Sequence, residues 1–304
     1  MHYDFPQTTK HLKQRSELIA SSLRPDGLPF DIDLEYPIVL NKQNKSLSHC
    51  IFESDRMIGH ATVWPRHLLL NGKKSDEKIA LIGNVATDSE FRGRGVMRQL
   101  FNKIYTFADS NNLKALILWS DLHQFYQNLG FRSLGKERRY FIEKSQLDTF
   151  KGINAICELA DSQNVENHFL AQLFAIRPSI GLTIHRSPSE FNKLLTIPKT
   201  YLYISFEKNI PTSYIIIGKG YDMEGVIHEW GTTHFPHFGY LLRTAIEHQT
   251  FERIILLSPF KTQWDTHLRE ISDRCEFHHM ALVREKEGQK NPLDEMFIWG
   301  LDSI

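Results

Sequence analysis

The chain has 304 residues, of which 41% are hydrophobic, and its 36 Lys and Arg balance 36 Asp and Glu. Zero net charge argues against a broad electrostatic grip on nucleic acid or an anionic membrane, and no apolar run approaches the roughly 18 residues of a membrane span. The length suggests two domains, and an odd, scattered set of cysteines (Cys50, Cys157, Cys275) behind a start with no apolar signal segment reads as a reduced, cytoplasmic protein.

In chain order, residues 7–23 read as a helix with a ragged stripe of Leu12, Leu18, Ile19 and Leu23. Pro25, Gly27 and Pro29 break it. Residues 28–40 then mix acids with aromatics, as a segment beside a substrate cleft would, and as a loop packed on a sheet also would. Residues 47–53 and 57–70 read as two strands around the polar turn Glu53-Ser54-Asp55-Arg56, with an edge or bulge at Pro65. Asn71-Gly72 makes a turn, residues 73–78 are polar, and a central strand follows at 79–87.

The rest is organised around residues 79–98. The apolar run Ile79-Ala80-Leu81-Ile82 ends in a polar break, then comes Arg92-Gly93-Arg94-Gly95, then a helical pattern of Val96, Met97, Leu100, Phe101, Ile104, Phe107 and Ala108. Strand, glycine-rich turn and helix N-terminus together read as a phosphate cradle. Successive N–H groups in a turn bind anions, and the unpaired N–H groups and positive dipole end of the helix strengthen the site. Gly93 and Gly95 permit positive φ and close approach, and Arg92, Arg94 and Arg98 add charge. A basic turn before a surface helix is the plain alternative. A Walker A loop is absent. A dinucleotide fingerprint is poor, because Arg98 stands where its third glycine belongs and Asp88-Ser89-Glu90-Phe91 intervene. Asn111-Asn112 ends the helix, and residues 115–119 read as a buried strand. Ser120 or Asp121 can cap the next helix, Gly130 sits at its C′ position, and residues 131–142 return as one or two strands.

Val85-Ala86-Thr87, followed by Phe91-Arg92-Gly93-Arg94-Gly95, resembles the acyl-CoA pyrophosphate loop of the GNAT N-acetyltransferase superfamily. Its form [QR]-x-x-G-x-[GA] is filled by Arg92 to Met97. Met97 departs from the small residue usual at the sixth place. Phe125-Tyr126-x-x-Leu129-Gly130-Phe131 resembles the family's helix after the fifth strand, in the family's order. The resemblance covers about residues 45–142 and implies an α/β (α+β) fold, a mixed, mostly antiparallel central sheet flanked by helices. It implies acetyl-CoA as acyl donor, bound by Val85, Ala86, Thr87, Arg92, Gly93, Arg94, Gly95, Val96, Met97, Arg98, Ser120 and Asp121. Backbone N–H groups near Val85 to Thr87 would hold the oxyanion. Tyr126 would protonate the departing sulfur as general acid, and its alternative role is core packing beside Phe125 and Leu129. The base stays open among a water chain, Asp31, Asp33, Glu35, His60, His123 and, as in some tandem relatives, a terminal carboxylate at Ile304.

The second half reads as a helix at 155–175, a break at 177–181 and a helix near Pro188 to Leu195. Strands follow at 200–207, 212–218 and 223–230, a helix at 238–249, a strand at 253–258 and a helix at 262–272. Strands at 276–285 and 295–301 end the chain. This order repeats the first half, so the chain resembles a tandem GNAT protein. Residues 1–150 would be the acyl-CoA-binding domain, and residues 151–304 a degenerate GNAT-like domain without the loop, since no Arg-Gly-x-Gly follows Gly225 to Trp230. No metal site is expected, because His228-Glu229 lacks a histidine at Thr232, and His234, His237, Cys275, His278 and His279 have no accompanying CxxC. The expected function is acetyl transfer to the amine of a small molecule or peptide, with a non-catalytic acyl-CoA sensor or scaffold as the alternative.

Overall fold

A computed structural model of the chain describes residues 1–24, 31–153, 155–160, 165–286 and 293–304. The first half runs β1 (His2–Asp4), α1 (Thr9–Leu23), α2 (Ile32–Glu35), β2 (Ser48–Glu53), β3 (Arg56–Leu70), β4 (Lys73–Thr87), α3 (Val96–Ser110), β5 (Leu113–Leu118), α4 (His123–Gln127), β6 (Arg132–Leu134) and β7 (Glu137–Glu143). Thr8 caps α1, its Oγ1 accepting from the His11 amide at 3.1 Å. Asn71 (φ 46°) and Gly72 (φ 76°) close the β3–β4 hairpin. The polar stretch from Lys73 is therefore the start of β4 itself, mostly exposed where the hairpin outruns the core. Along β4 the side chains alternate: Ile79 and Leu81 enter a large core, Ala80 and Ile82 a second core beneath α3.

The second half runs β8 (Ile156–Leu159), α5 (Asn167–Ala175), β9 (Leu182–Ile184), α6 (Pro188–Leu195), β10 (Tyr201–Glu207), β11 (Ile210–Ile217), β12 (Val226–Thr232), α7 (Phe235–Gln249), β13 (Arg253–Pro259), α8 (Asp265–Glu270), β14 (Arg274–His278) and β15 (Ala281–Glu285). Two readings from sequence are corrected. Residues 156–159 form an edge strand on β10, because a run this short satisfies a strand as well as a helix; residues 161–164 lie outside the described part. The final apolar segment is no strand. It lies between two 3-10 turns, 293–295 and 300–302, and buries Phe297, Ile298, Trp299 and Leu301 in the large core.

Two mixed, mostly antiparallel sheets result, flanked by helices. The first has eight strands in the order β1-β2-β3-β4-β5-β15-β6, with β9 on β3; the second has seven, β14-β7-β13-β12-β11-β10-β8. Each contains an antiparallel run leading to a parallel pair, β4 with β5 and β12 with β13. Next to each parallel pair lies a strand from the other half of the chain. β15 fits between β5 and β6, and β7 between β13 and β14. The sheets thus exchange strands across residue 150, and the large core is continuous between them.

The second half is fastened by buried charge. Arg186 donates to Glu229 at 2.6 Å and to both oxygens of Asp302 at 2.9 and 2.6 Å. Arg177 meets the other Glu229 oxygen at 2.9 Å, and the Tyr214 hydroxyl donates to that oxygen at 2.9 Å. Beside them Lys219 donates to Gly300 O and Ser303 Oγ, both at 2.9 Å, and to Ser303 O. Burial lowers the pKa of its ammonium to about 7, against the opposing pull of Asp302. These bonds carry the end of the chain back to β4. A Cβ on Gly83 would lie 2.3 Å from the carbonyl carbon and oxygen of Ile304, so only glycine admits this approach.

Two outcomes follow from this arrangement. Glu229→Ala strands buried guanidinium charge on Arg177 and Arg186 and is expected to cost about 3–5 kcal/mol, read as a fall in urea midpoint. Gly83→Ala is expected to cost ~1–3 kcal/mol by overpacking and to speed amide exchange selectively over residues 300–304, because the last turn must lift from β4.

Candidate functional site

The first sheet splays at one point. Pairing between β4 and β5 ends at Ile82 with Leu118, while pairing between β4 and β3 continues to Thr87 with Gly59. Between them β4 bulges: His60 pairs with Ala86 and Thr62 with Gly83, so Asn84 and Val85 stand opposite Ala61 alone. Asn84 takes a positive φ of 48°, a conformation asparagine tolerates better than most residues. Two buried side chains of β3 pin it. His60 Nδ1 lies 2.8 Å from Asn84 O, and Thr62 Oγ1 donates to Asn84 Oδ1 at 3.0 Å. Burial drops the His60 pKa to about 3, so the ring is neutral at physiological pH and too weak a base to take a proton from an ammonium.

After β4 the chain forms a short turn, with Asp88 Oδ1 accepting from the Glu90 amide at 3.1 Å. Arg56 ties Asp88 and Glu90, each at 2.6 Å, and Arg56 and Arg94 lie over the Phe91 ring at 5.3 and 5.2 Å. Gly93 (φ 75°) and Gly95 (φ 78°) follow in the left-handed region, and a Cβ on either would meet no protein atom within 4 Å. Gly95 is the N-cap of α3 and offers no side-chain cap, so the first N–H groups of that helix are left for another acceptor. The size of Met97 is accommodated by Gly59 on β3. A Cβ there would come 2.7 Å from Val96 Cγ1 and 3.3 Å from Met97 Cε.

A groove of about 740 Å³ gathers Val85, Ala86, Thr87, Arg92, Gly93, Gly95, Val96, Met97, Arg98 and Tyr126 along one wall system. Arg94 lies outside it on Phe91, and Ser120 and Asp121 are not among its lining residues. The expected cap at Ser120 or Asp121 is also displaced. Leu122 is the N-cap of α4, and Ser120 Oγ instead accepts from the Leu122 amide at 3.1 Å, tightening the approach to the helix. The geometry fits an elongated ligand with an anionic segment: open glycine backbone, an uncapped helix start, and the exposed cations Arg92 and Arg98.

Tyr126 is 5% exposed and packs edge-on against Phe125, Phe101 and Phe131. Burial pushes its phenol pKa up to about 12, so it is a hydrogen-bond donor across the physiological range. The sequence did not point to the other apolar lining residues, Leu23, Leu122 and Phe125 among them. Leu122 and Phe125 are exposed on a short helix, and that surface apolarity would have been the signal. Two of the acids considered as base are engaged elsewhere: Asp33 accepts from Arg15 and Ser16, and Asp31 caps α2. In the second half, α7 begins at Phe235, which stacks on Trp264 at 5.8 Å, and no Arg-Gly-x-Gly turn precedes it. Among the described residues no group of three or more His, Cys, Asp or Glu is placed to hold a metal, and no helix is long and apolar enough to cross a membrane.

In comparisons with known proteins, residues 39–134 match the model of the acetyltransferase (GNAT) domain. A 72-residue stretch is 31% identical to N-acetylaspartate synthetase of Danio rerio, covering 22% of this chain and 26% of that relative. The chain therefore matches only about a quarter of that relative's length. Among solved structures, a protein of Enterococcus faecalis V583 described as a probable N-acyltransferase aligns over 93% of this chain and 72% of its own, at TM-score 0.70 and 13% identity. A GCN5-related N-acetyltransferase from Kribbella flavida aligns over 93% and 71%, at TM-score 0.66 and 16% identity. Residues 39–134 therefore match a GNAT acetyltransferase domain, and the fold of the chain, with its splayed first sheet and a second mixed sheet, is that of these solved structures.

Proposed function

We propose that the protein is an N-acetyltransferase that moves an acetyl group from acetyl-CoA to a primary amine of a small molecule or peptide. The observation that carries this reading is the single groove running from the β4 bulge past the glycine turn to Tyr126. Acetyl-CoA would supply a thioester, whose carbonyl carbon accepts the amine while the bond to sulfur breaks. The amides after Phe91 and at the start of α3, with Arg92 and Arg98, would hold its pyrophosphate. Backbone N–H groups near Val85 to Thr87, fixed in direction by the His60 and Thr62 contacts to Asn84, would receive the charge that develops on the carbonyl oxygen. Tyr126, protonated until about pH 12, would give its proton to the departing sulfur. Arg94, Ser120 and Asp121 would contribute at the margins. The N-acetylaspartate synthetase relatives suggest that a free amino acid amine lies within the reach of this fold.

Residues 1–150 would supply the acyl-CoA site, and residues 151–304, with no Arg-Gly-x-Gly turn before α7, would bind none and instead wall the acceptor side. The strand exchange means that the halves are best tested in the full chain. Calorimetry is expected to give one acetyl-CoA per chain, and Gly95→Asp should weaken it by about 100-fold or more through charge and bulk against the pyrophosphate; unchanged affinity would remove the loop assignment. Tyr126→Phe is expected to leave that affinity intact and to lower kcat by about 10²–10⁴-fold where chemistry limits turnover. An unchanged kcat in thiol-release assays would leave Tyr126 a packing residue.

A further inference from the structure

Glu35 is only 4% exposed, a depth at which a polar oxygen without a hydrogen bond is costly. Its Oε2 accepts from Arg24 at 2.6 Å, and Arg24 also meets Asp222 at 3.0 Å. Its Oε1 is equally buried and has no hydrogen-bond partner among the described residues. Space for the carboxylate comes from the second half of the chain: a Cβ on Gly220 (φ 74°) would lie 3.0 Å from Glu35 Cδ.

Glu35 lines a narrow cavity together with Tyr36, Trp64, Lys219, Ser303 and Ile304. Ile304 belongs both to this cavity and to the contact with Gly83, the residue before the β4 bulge. The cavity therefore opens beside the point where the first sheet splays. Its interior volume is about 10 Å³, the room of one water-sized group. Lys219 already donates to Gly300 and Ser303, whereas Glu35 Oε1 still lacks a donor. A primary ammonium has the size and the donors to fill such a space, with Glu35 set against the like charge of Lys219; a carboxylate has no donor to offer Oε1.

We propose that this cavity is an ammonium subsite of the acceptor pocket, and that the acceptor is an unbranched amine carrying a second primary ammonium, such as a diamine or a lysine-like chain. The proposal rests on the acetyltransferase reading for what is done with the acceptor, but the subsite itself can be tested without turnover. The probes are 1,4-diaminobutane, butylamine and aspartate, titrated by calorimetry into the full chain, with thiol release from acetyl-CoA followed separately. Diaminobutane is expected to bind about tenfold or more tighter than butylamine, as one charge-assisted hydrogen bond provides, and Glu35→Gln should erase that difference. The wild-type comparison stands even if the variant fails to fold. Equal binding of the two amines, or tighter binding of aspartate, overturns the proposal, as does a preference that survives in folded Glu35→Gln. Selective diamine binding with no thiol release from any amine upholds the subsite and removes the acetyltransferase reading. Thiol release that favours butylamine or aspartate upholds that reading and removes the subsite.

Discussion

A strand inside a sheet must have both of its edges paired, and β5 meets this requirement only by borrowing. Its β4 side is paired for a few residues up to Ile82, and its other side is filled by β15, which lies more than 150 residues further along the chain. β13 has the same need and takes β7 from the first half. Because unpaired backbone groups are costly when buried, this reciprocal arrangement fixes the position of both sheets and joins their cores. The splay of β4 from β5, on which the groove depends, is possible because β5 is anchored from its far side by β15.

Within that frame, local chemistry shapes the groove. The bulge at Asn84 turns the strand, and His60 and Thr62 hold it from a neighbouring strand where burial keeps the imidazole neutral. The glycine turn is held open by Arg56, Asp88 and Phe91 rather than by anything inside it. Gly59 shows how a sequence departure is absorbed: the missing Cβ on β3 makes room for Val96 and Met97 at the start of α3. The large side chain at the sixth place of the loop is thus compatible with close packing of helix on sheet.

The first half was legible because its signals are local. Alternation along residues 79–82, the Asn71-Gly72 turn and the spacing of Gly93 and Gly95 each carry a short-range physical meaning. Most of the residues singled out from sequence line one groove, whereas Arg94, Ser120 and Asp121 do not. What stayed hidden is non-local. β7 and β15 read as ordinary strands, and nothing in their own residues names a partner in the opposite sheet. Arg186 is 43 residues from Glu229 and 116 from Asp302, so no window of sequence shows the ion cluster. Glu35 was visible as an acid among aromatics, but its unpaired oxygen is a property of packing. Residues 155–160 and 295–301 misled because short apolar runs leave their conformation to tertiary contacts.

The strand exchange also sets an order of events during synthesis. When residues 1–150 have left the ribosome, β5 and β6 still lack the strand that belongs between them, while β7 waits for β13 and β14. The nascent first half therefore presents open strand edges, the kind of surface that invites wrong pairing. The second sheet can close once residues 274–278 emerge, and the first only when residues 281–285 do. Pairings this distant in sequence make folding slow, so the interval between translating the glycine turn and completing the site is a period in which a chaperone, or a second copy of the chain, can intervene.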